Sequence, residues 1–144
     1  MIIFLDFDGV LHPSPTAGDT VFCCLPHLWT ILRARPDIEV VFSSSWREVY
    51  DPDMMLDFIT TNGGEDLLPR FIGSNPVLVN NQCDYQREAE CLAWLRGNGM
   101  LNRPWLALDD DSGQFRNPTH LYLVDRQTGL TSADVTRILA RVRL

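Results

Sequence analysis

The stretch that decides the fold lies at the start of the chain, where Ile2-Ile3-Phe4-Leu5 runs directly into Asp6-Phe7-Asp8-Gly9-Val10-Leu11. Four consecutive apolar residues that end in an acidic residue are typical of a short strand buried on both faces of a parallel sheet. Gly9 permits a sharp turn where the chain leaves that strand. Asp6 and Asp8 are spaced so that both carboxylates can point to nearly the same place, although an ordinary acidic turn has the same pattern. This stretch predicts an α/β fold with a pair of acids at the end of its first strand.

The rest of the chain alternates apolar runs with helical segments. We predict further strands at 38–42, 71–79, 105–108 and 121–124, and helices at 26–35, 53–61, 84–96 and from a cap at Ser132 to the C-terminus. This alternation predicts a mostly parallel sheet of about five strands flanked by helices. A length of 144 residues favours a single domain over 1–144. The segments between the elements are too short to build a large cap domain.

Composition excludes several classes of function. The net charge is −7, and all 12 basic residues are arginine because the chain has no lysine. Schiff-base chemistry through a lysine amine is therefore excluded, and the acidic balance argues against a broad nucleic-acid-binding surface. No apolar run approaches the ~18–20 residues of a membrane span, and the N-terminus lacks the features of a signal peptide. The four cysteines, at 23, 24, 83 and 91, lack metal-site or redox spacing. We expect reduced thiols, a cytoplasmic protein and no membrane association.

Polar residues follow three of the predicted strands, at the sheet edge where α/β proteins bind ligands. Asp6 and Asp8 follow the first strand, Ser43–Ser45 the second, and Asp109–Asp111 the fourth. Serine hydroxyls can donate to phosphate oxygens, although helix capping could account for one of the three. Adjacent carboxylates repel one another unless they are solvated or bind a cation, and together with Asp6 they suit Mg²⁺. For Asp111 we favour the solvated alternative.

Four further residues are candidates for binding roles. If Asp84 caps its helix, Arg87 is the third helical residue, where a cation opposes the helix dipole at a cost of about 0.3–1 kcal/mol. A bound anion would reverse that effect, but a solvated arginine paired with a nearby glutamate, Glu88 or Glu90, fits the spacing equally well. The other three, His12, Trp46 and Arg47, flank the motifs and are candidate substrate contacts. Trp46 would act by stacking; the alternatives are core packing for Trp46 and a surface ion pair for Arg47.

In this order, the motifs resemble the haloacid dehalogenase-like (HAD) superfamily of phosphohydrolases. The matching segments are DFDGVL at 6–11, the serine run at 43–45, Arg87 before a helix, and LDDD at 108–111. The segments SSSWRE, REAECLAWL, WLALDDD and VDxxTGLT are similar to a small cap-less group that resembles the HAD domains of multi-domain RNA-repair proteins. The resemblance spans nearly the whole chain and implies a Rossmann-like HAD core.

The resemblance also implies a mechanism. Asp6 would be the nucleophile that forms an aspartyl-phosphate, and Asp8 would act first as general acid and then as general base. An acid at position 8 favours phosphoryl transfer over carbon–halogen cleavage, which leaves no alkoxide to protonate. Mg²⁺ would be held by Asp6, the backbone carbonyl of Asp8 and Asp109, together with Asp110.

The phosphoryl group would have two kinds of partner. A serine hydroxyl would bind it, with Ser44 the first choice and Ser43 the second. Arg87 would stand where the family usually has a lysine, and arginine can neutralise a phosphoryl group and bind two of its oxygens.

These features predict a Mg²⁺-dependent phosphomonoesterase. Its open site would accept a phosphorylated substrate: a nucleotide, a nucleic-acid end, a phosphoprotein or a metabolite. The alternative is a non-catalytic HAD-fold module that binds metal or phosphate. A response-regulator receiver domain fits poorly, because its middle strand would end in the phosphoacceptor rather than in serines, and its required lysine is absent.

Overall fold

The computed structural model describes residues 1–78 and 84–143. Its strands are β1 (Ile2–Leu5), β2 (Glu39–Phe42), β3 (Phe71–Ser74), β4 (Trp105–Asp109) and β5 (Leu121–Leu123). Its helices are α1 (Leu25–Ala34), α2 (Pro52–Thr60), α3 (Gln86–Gly97) and α4 (Ser132–Arg141). All strand pairs are parallel, in the order β3-β2-β1-β4-β5. The predicted α/β fold with a five-stranded sheet is confirmed, and β1 lies at its centre.

Alternate residues of β1 pack against helices on opposite faces of the sheet. Ile3 and Leu5 belong to a core that includes residues of α1, α2 and α4. Ile2 and Phe4 belong to a second core that includes residues of α3. Side chains along a strand alternate between its two faces, so a central strand between two helical layers needs an apolar residue at every position. This explains the uninterrupted apolar run at the start of the chain.

The start of α3 differs from the prediction. Tyr85, not Asp84, occupies the position before the first helical residue, and its side chain makes no capping hydrogen bond. Arg87 is therefore the second helical residue rather than the third. It remains within the first turn, where the free backbone N–H groups and the helix dipole favour an anion.

Two other boundaries also moved. Thr131, rather than Ser132, caps α4, because its hydroxyl accepts from the Asp134 amide while the Asp134 carboxylate accepts from the Thr131 amide. This reciprocal capping box satisfies two N–H groups at once, which a cap at Ser132 would not do. The third strand ends at Ser74, before Pro76. The end of its predicted range, Val79, lies outside the described residues.

The edge of the sheet at the carboxyl ends of the strands is open in the described part of the chain. The described connections there contain only short 3-10 turns, such as Gly18–Thr20 and Ser45–Glu48. The segment after β5 is bound to the loop after β1, since the Leu130 amide donates to the Val10 carbonyl at 2.8 Å. Gly129 has a φ of +66°, and a Cβ there would lie 3.0 Å from the same carbonyl oxygen. The loop that carries the first acidic motif is thereby held by a second segment.

The cysteines of the described residues are free. Cys24 and Cys91 are buried, Cys23 is exposed, and Cys83 lies outside the described ranges. Within those same ranges, no helix is long and apolar enough to cross a membrane.

Candidate active site

The sheet register places two carboxylates side by side. Leu5 of β1 pairs with Leu108 of β4, so the residues that follow them, Asp6 and Asp109, lie next to each other at the carboxyl edge. The Asp6 amide donates to the Leu108 carbonyl at 3.1 Å and fixes this alignment. Both aspartates are buried, with exposed fractions of 5% and 2%. Burying two adjacent carboxylates costs free energy unless a positive charge is nearby.

These carboxylates open into a polar cleft of about 160 Å³. Acidic residues dominate its wall, accompanied by two arginines, a serine and a glutamine. The lining residues are Asp6, Asp8, Ser45, Arg87, Asp109, Asp110, Asp111, Gln114 and Arg126.

Three of these acids form a candidate metal site. Asp6, Asp109 and Asp110 each offer one carboxylate oxygen, and the three oxygens lie within 4.8 Å of one another. Asp109 Oδ1 accepts from the Asp111 amide at 2.9 Å. Asp109 Oδ2 is buried and has no hydrogen-bond partner among the described residues. A buried oxygen without a partner carries an uncompensated desolvation cost, and a bound cation would remove that cost.

Arg87 lies near both buried carboxylates of this group. Its Nη1 lies 3.5 Å from Asp6 Oδ1 and 4.0 Å from Asp109 Oδ2, and it also donates to the Ser43 carbonyl. The alternative of a solvated arginine paired with a glutamate is not what the structure shows, since the guanidinium turns toward the cleft. At the second position of α3, Arg87 places its positive charge between the two buried carboxylates.

The pKa values of Asp6 and Asp109 indicate that the cleft holds too little positive charge for its carboxylates. Burial raises the pKa of Asp6 well above its usual value, the neighbouring Asp109 raises it further, and Arg87 opposes the shift. Burial raises the pKa of Asp109 to about 6, against the opposing effects of Arg87 and of the Asp111 amide. Arg87 and Arg126 do not balance the five carboxylates that line the cleft, so the cleft favours a bound cation or protons.

Gly9 makes room for the third acid. It has a φ of +77°, which L side chains rarely adopt, and a Cβ there would lie 2.3 Å from Asp110 Oδ2. The glycine is therefore required both by the backbone turn and by the close approach of Asp110.

The second acid of the motif, Asp8, is held by two side chains. Asp8 Oδ1 lies 2.7 Å from His12 Nε2, and Trp46 Nε1 donates to Asp8 Oδ2 at 3.1 Å. His12 is fully buried, so the structure corrects the prediction that its ring contacts substrate. The His12 ring lies beneath the carboxylate instead.

The serine run also differs from the prediction. Ser44 is fully buried, and its hydroxyl accepts from the Trp46 amide at the start of a 3-10 turn. Ser43 is buried too, and its hydroxyl accepts from the Asn75 amide group at 3.3 Å. Ser45 is the exposed member and lines the cleft. Of the three serines, the one that lines the cleft is thus Ser45, the third of the run, rather than Ser44 or Ser43.

Comparison with protein families identifies the family to which the chain belongs. The family model for the HAD domain in Swiss Army Knife RNA repair proteins matches residues 2–135. The chain belongs to this family. No curated protein and no solved structure matches it. The match spans every strand and the first four residues of α4, and it confirms the resemblance that the motifs predicted. The chain is a HAD-fold domain of the phosphohydrolase type.

In this HAD domain, Arg47 belongs to the scaffold. Its Nη2 donates to Glu90 Oε2 at 2.8 Å, with side-chain exposures of only 6% and 3%. It also donates to the backbone carbonyls of Ser44 and Asn75 at 2.8 and 2.9 Å. These contacts join the serine loop to α3, and they leave Arg47 no free donor face. The structure therefore corrects its predicted role as a substrate contact and replaces the surface ion pair by a buried one.

Next to this polar cleft lies a second, shallower depression of about 260 Å³. We call it the apolar shelf; its lining residues are Asp8, Ser45, Trp46, Val49 and Tyr50. Asp8 and Ser45 belong to both depressions and form the boundary between them. Trp46 is partly buried and packs against Phe22 and Tyr50, at centroid distances of 5.2 and 5.3 Å. Its indole contributes an edge to the shelf rather than a free stacking face.

Sequence reasoning did not single out Ser45, Gln114 and Arg126. Arg126 Nε lies 3.3 Å from Asp110 Oδ2 at the rim of the cleft. Gln114 accepts from the Arg87 amide at 3.3 Å. The place of Arg126 could have been predicted from the sequence, because it follows the carboxyl end of β5 and so belongs to the same edge as the other motifs. No sequence pattern could have located Gln114, since it lies in a 3-10 turn beyond the acidic run.

Proposed function

We propose that this HAD domain is a Mg²⁺-dependent phosphomonoesterase that acts through an aspartyl-phosphate on Asp6. The observation that carries the proposal is the buried Oδ2 of Asp109, which accepts no hydrogen bond from the described residues and faces the same cleft as Asp6 and Arg87. A site built only for stability would have paired that oxygen. A site that binds a divalent cation and a phosphate dianion would leave it free.

The residues present fit Mg²⁺. The candidate ligands are carboxylate oxygens of Asp6, Asp109 and Asp110, which lie close together, and hard oxygen ligands are those that Mg²⁺ prefers. The backbone carbonyl of Asp8 is a further candidate from the family resemblance. When bound, Mg²⁺ would supply the positive charge that allows an anionic phosphate to approach the Asp6 carboxylate.

The first chemical step uses two acids with different surroundings. A carboxylate oxygen of Asp6 attacks phosphorus, and the bond from phosphorus to the leaving oxygen breaks. Asp8, whose side chain is 45% exposed, gives its proton to that leaving oxygen. The difference in burial suits these roles, because the nucleophile must be shielded from water whereas the acid must reach the substrate.

The second step returns the enzyme to its starting state. Asp8, now ionised, takes a proton from a water molecule as that water attacks the phosphorus of the aspartyl-phosphate. The bond between Asp6 and phosphorus breaks, which releases inorganic phosphate and the Asp6 carboxylate. Throughout, Arg87 offsets negative charge on the phosphoryl oxygens, and the Ser45 hydroxyl donates to one of them.

The leaving group would lie on the apolar shelf. Asp8 forms the boundary between cleft and shelf, so a phosphate in the cleft places its ester oxygen beside Asp8 and its organic part over Val49 and Tyr50. The open edge accommodates a bulky substrate. Because the family is named for RNA repair proteins, we propose a nucleic-acid end phosphate as the first substrate to test, ahead of free nucleotides, phosphoproteins and metabolites.

The test is a phosphatase assay with Mg²⁺ on p-nitrophenyl phosphate and on oligonucleotides phosphorylated at the 3′ or 5′ end. Wild type should turn over, and Asp6→Asn should not. Asp53→Asn is the matched control, because Asp53 is exposed on α2 and its variant should match wild type. Equal turnover by wild type and Asp6→Asn would overturn the mechanism, whereas a wild type without turnover would favour the alternative, a HAD-fold module that binds metal or phosphate without catalysis.

A further inference from the structure

The Asp8 side chain combines two properties that rarely occur together. It is 45% exposed at the mouth of the cleft, as a group that meets substrate must be. Yet both of its oxygens are fixed, one by His12 Nε2 at 2.7 Å and the other by Trp46 Nε1 at 3.1 Å. Exposed carboxylates ordinarily bind water and move between rotamers. This one is fixed from below by two donors of the protein.

The His12 donor is itself fixed. The Phe22 amide donates to His12 Nδ1 at 3.2 Å, so that nitrogen is an acceptor and the ring proton is on Nε2. The ring is fully buried and lies between Phe22 and Trp46, at centroid distances of 5.2 and 5.8 Å. His12 therefore has one orientation and one hydrogen to offer, and Asp8 receives it.

The Trp46 donor comes from a different part of the fold. It lies in the 3-10 turn Ser45–Glu48 after β2, whereas Asp8 and His12 belong to the loop after β1. Its ring is surrounded by Phe7, Tyr50 and Phe58, so the indole N–H cannot turn away. Two independent segments of chain thus determine where the Asp8 carboxylate points.

We propose that His12 and Trp46 are positioning residues, which together form a clamp that aims Asp8 at the leaving-group oxygen. The inference rests on the proposed function. A carboxylate has two oxygens with two lone pairs each, so the two donors leave one lone pair on each oxygen free to carry the catalytic proton. The donors keep their own protons throughout. Their contribution is geometric, since an acid about 1 Å out of place can cost on the order of 10²-fold in rate.

The test compares substrates that depend on the acid to different degrees. β-Glycerol phosphate has a strongly basic alkoxide leaving group that needs protonation, whereas the leaving group of p-nitrophenyl phosphate needs little. The parameter to measure is kcat/KM, because it reports the steps up to departure of the leaving group. Trp46→Phe keeps an aromatic ring and removes the N–H. We expect kcat/KM to fall about 10–100-fold for the alkyl phosphate and less than about threefold for the aryl phosphate.

Two further variants separate positioning from general damage. His12→Leu should show the same selective loss, and His12→Gln, which can present an amide N–H near the place of Nε2, should recover part of it. Trp29→Phe is the matched control, since Trp29 Nε1 donates to the Ile59 carbonyl at 2.9 Å, away from Asp8. It should change the two substrates by the same factor. If His12→Leu fails to fold, Trp46→Phe and Trp29→Phe still decide the question.

The outcomes distinguish the clamp from the proposed function. Equal falls on both substrates, in an enzyme that Asp6→Asn inactivates, would overturn the clamp and leave the phosphatase intact. No change in Trp46→Phe would overturn it too. A wild-type protein without turnover on any substrate would overturn both.

Discussion

Two groups of buried charges lie on either side of the serine loop, and the protein treats them differently. Arg47 and Glu90 form a closely paired ion pair with additional hydrogen bonds to backbone groups. Asp6 and Asp109 share one arginine at 3.5 and 4.0 Å, and an oxygen of Asp109 has no hydrogen-bond partner in the described residues. The first group is complete and belongs to the scaffold. The second lacks positive charge, and that shortage marks the place where a ligand would bind.

The strongest test of this difference between the two charge groups is to remove the charge at Asp6. Asp6→Asn should lower kcat/KM by about 10³-fold or more, because the nucleophile is lost. The same change should leave the melting temperature equal or higher, because burial and Asp109 destabilise the charged form of Asp6. Steady-state kinetics and thermal unfolding of the same preparation test both parts. A large loss of stability would show that Asp6 belongs to the scaffold.

Breaking the Arg47–Glu90 ion pair should have the opposite effect on stability. Arg47→Met leaves Glu90 buried without its partner and should lower the free energy of unfolding by about 3–5 kcal/mol. Urea denaturation measures this loss. The double variant Arg47→Met/Glu90→Leu should be less destabilised than the single one, because no unpaired charge remains. A double variant whose loss equals the sum of the two single losses would mean that the two charges do not interact.

The incomplete group should also respond to pH and to Mg²⁺. The folded-state pKa of Asp109 is raised from 3.8 to about 6, so between these values the folded protein binds more protons than the unfolded chain. Metal-free stability should therefore fall as pH rises through this window, by about 3 kcal/mol from this group.

Mg²⁺ should restore that stability, and more so at pH 7.5 than at pH 5, where protons compete for the same oxygens. Melting temperatures with Mg²⁺ and with a chelator, measured across this range, test the expectation. Asp109→Asn should remove most of the difference. A Mg²⁺ effect that is independent of pH would argue against these carboxylates as ligands.

The smallest expected effect concerns the glycine that admits Asp110. Gly9→Ala should cost about 1–2 kcal/mol, since alanine at positive φ is strained and its Cβ would meet the Asp110 carboxylate. It should also weaken the stabilisation by Mg²⁺. Gly97→Ala is the matched control, because no atom lies within 4 Å of a Cβ there and the residue is helical. That variant should be neutral or slightly more stable, and calorimetry distinguishes the two.

Much of the fold could be predicted because β1 is apolar at every position and acidic immediately afterwards. The same logic located Asp6 and Asp109, since a carboxylate after a buried strand has only the ligand-binding edge to occupy. The direction of the chain was enough to place Asp6 and Asp109 at this edge, and no knowledge of side-chain orientation was needed.

The rest depended on orientation. Three adjacent serines have the same composition, yet Ser44 turns inward to cap a 3-10 turn while Ser45 faces the cleft. His12 looked like a substrate contact because of its place next to the motif, but its ring points beneath Asp8. Arg47 was predicted to contact substrate or to form a surface ion pair, but α3 places Glu90 against it in the interior. In each case the deciding partner comes from a distant part of the chain or from a local turn that the hydrophobic pattern does not specify.

The central position of β1 has a consequence for how this domain can diversify. Asp6 follows a strand with hydrogen-bonded neighbours on both sides, so its backbone should be among the slowest to exchange hydrogen with solvent. Val49, which is 76% exposed, and Tyr50 lie on a turn outside the sheet. Substitutions at these two positions could reshape the surface proposed to meet the leaving group, while the proposed nucleophile stays where the sheet holds it. In the proposed phosphatase, substrate preference could therefore evolve separately from the chemistry.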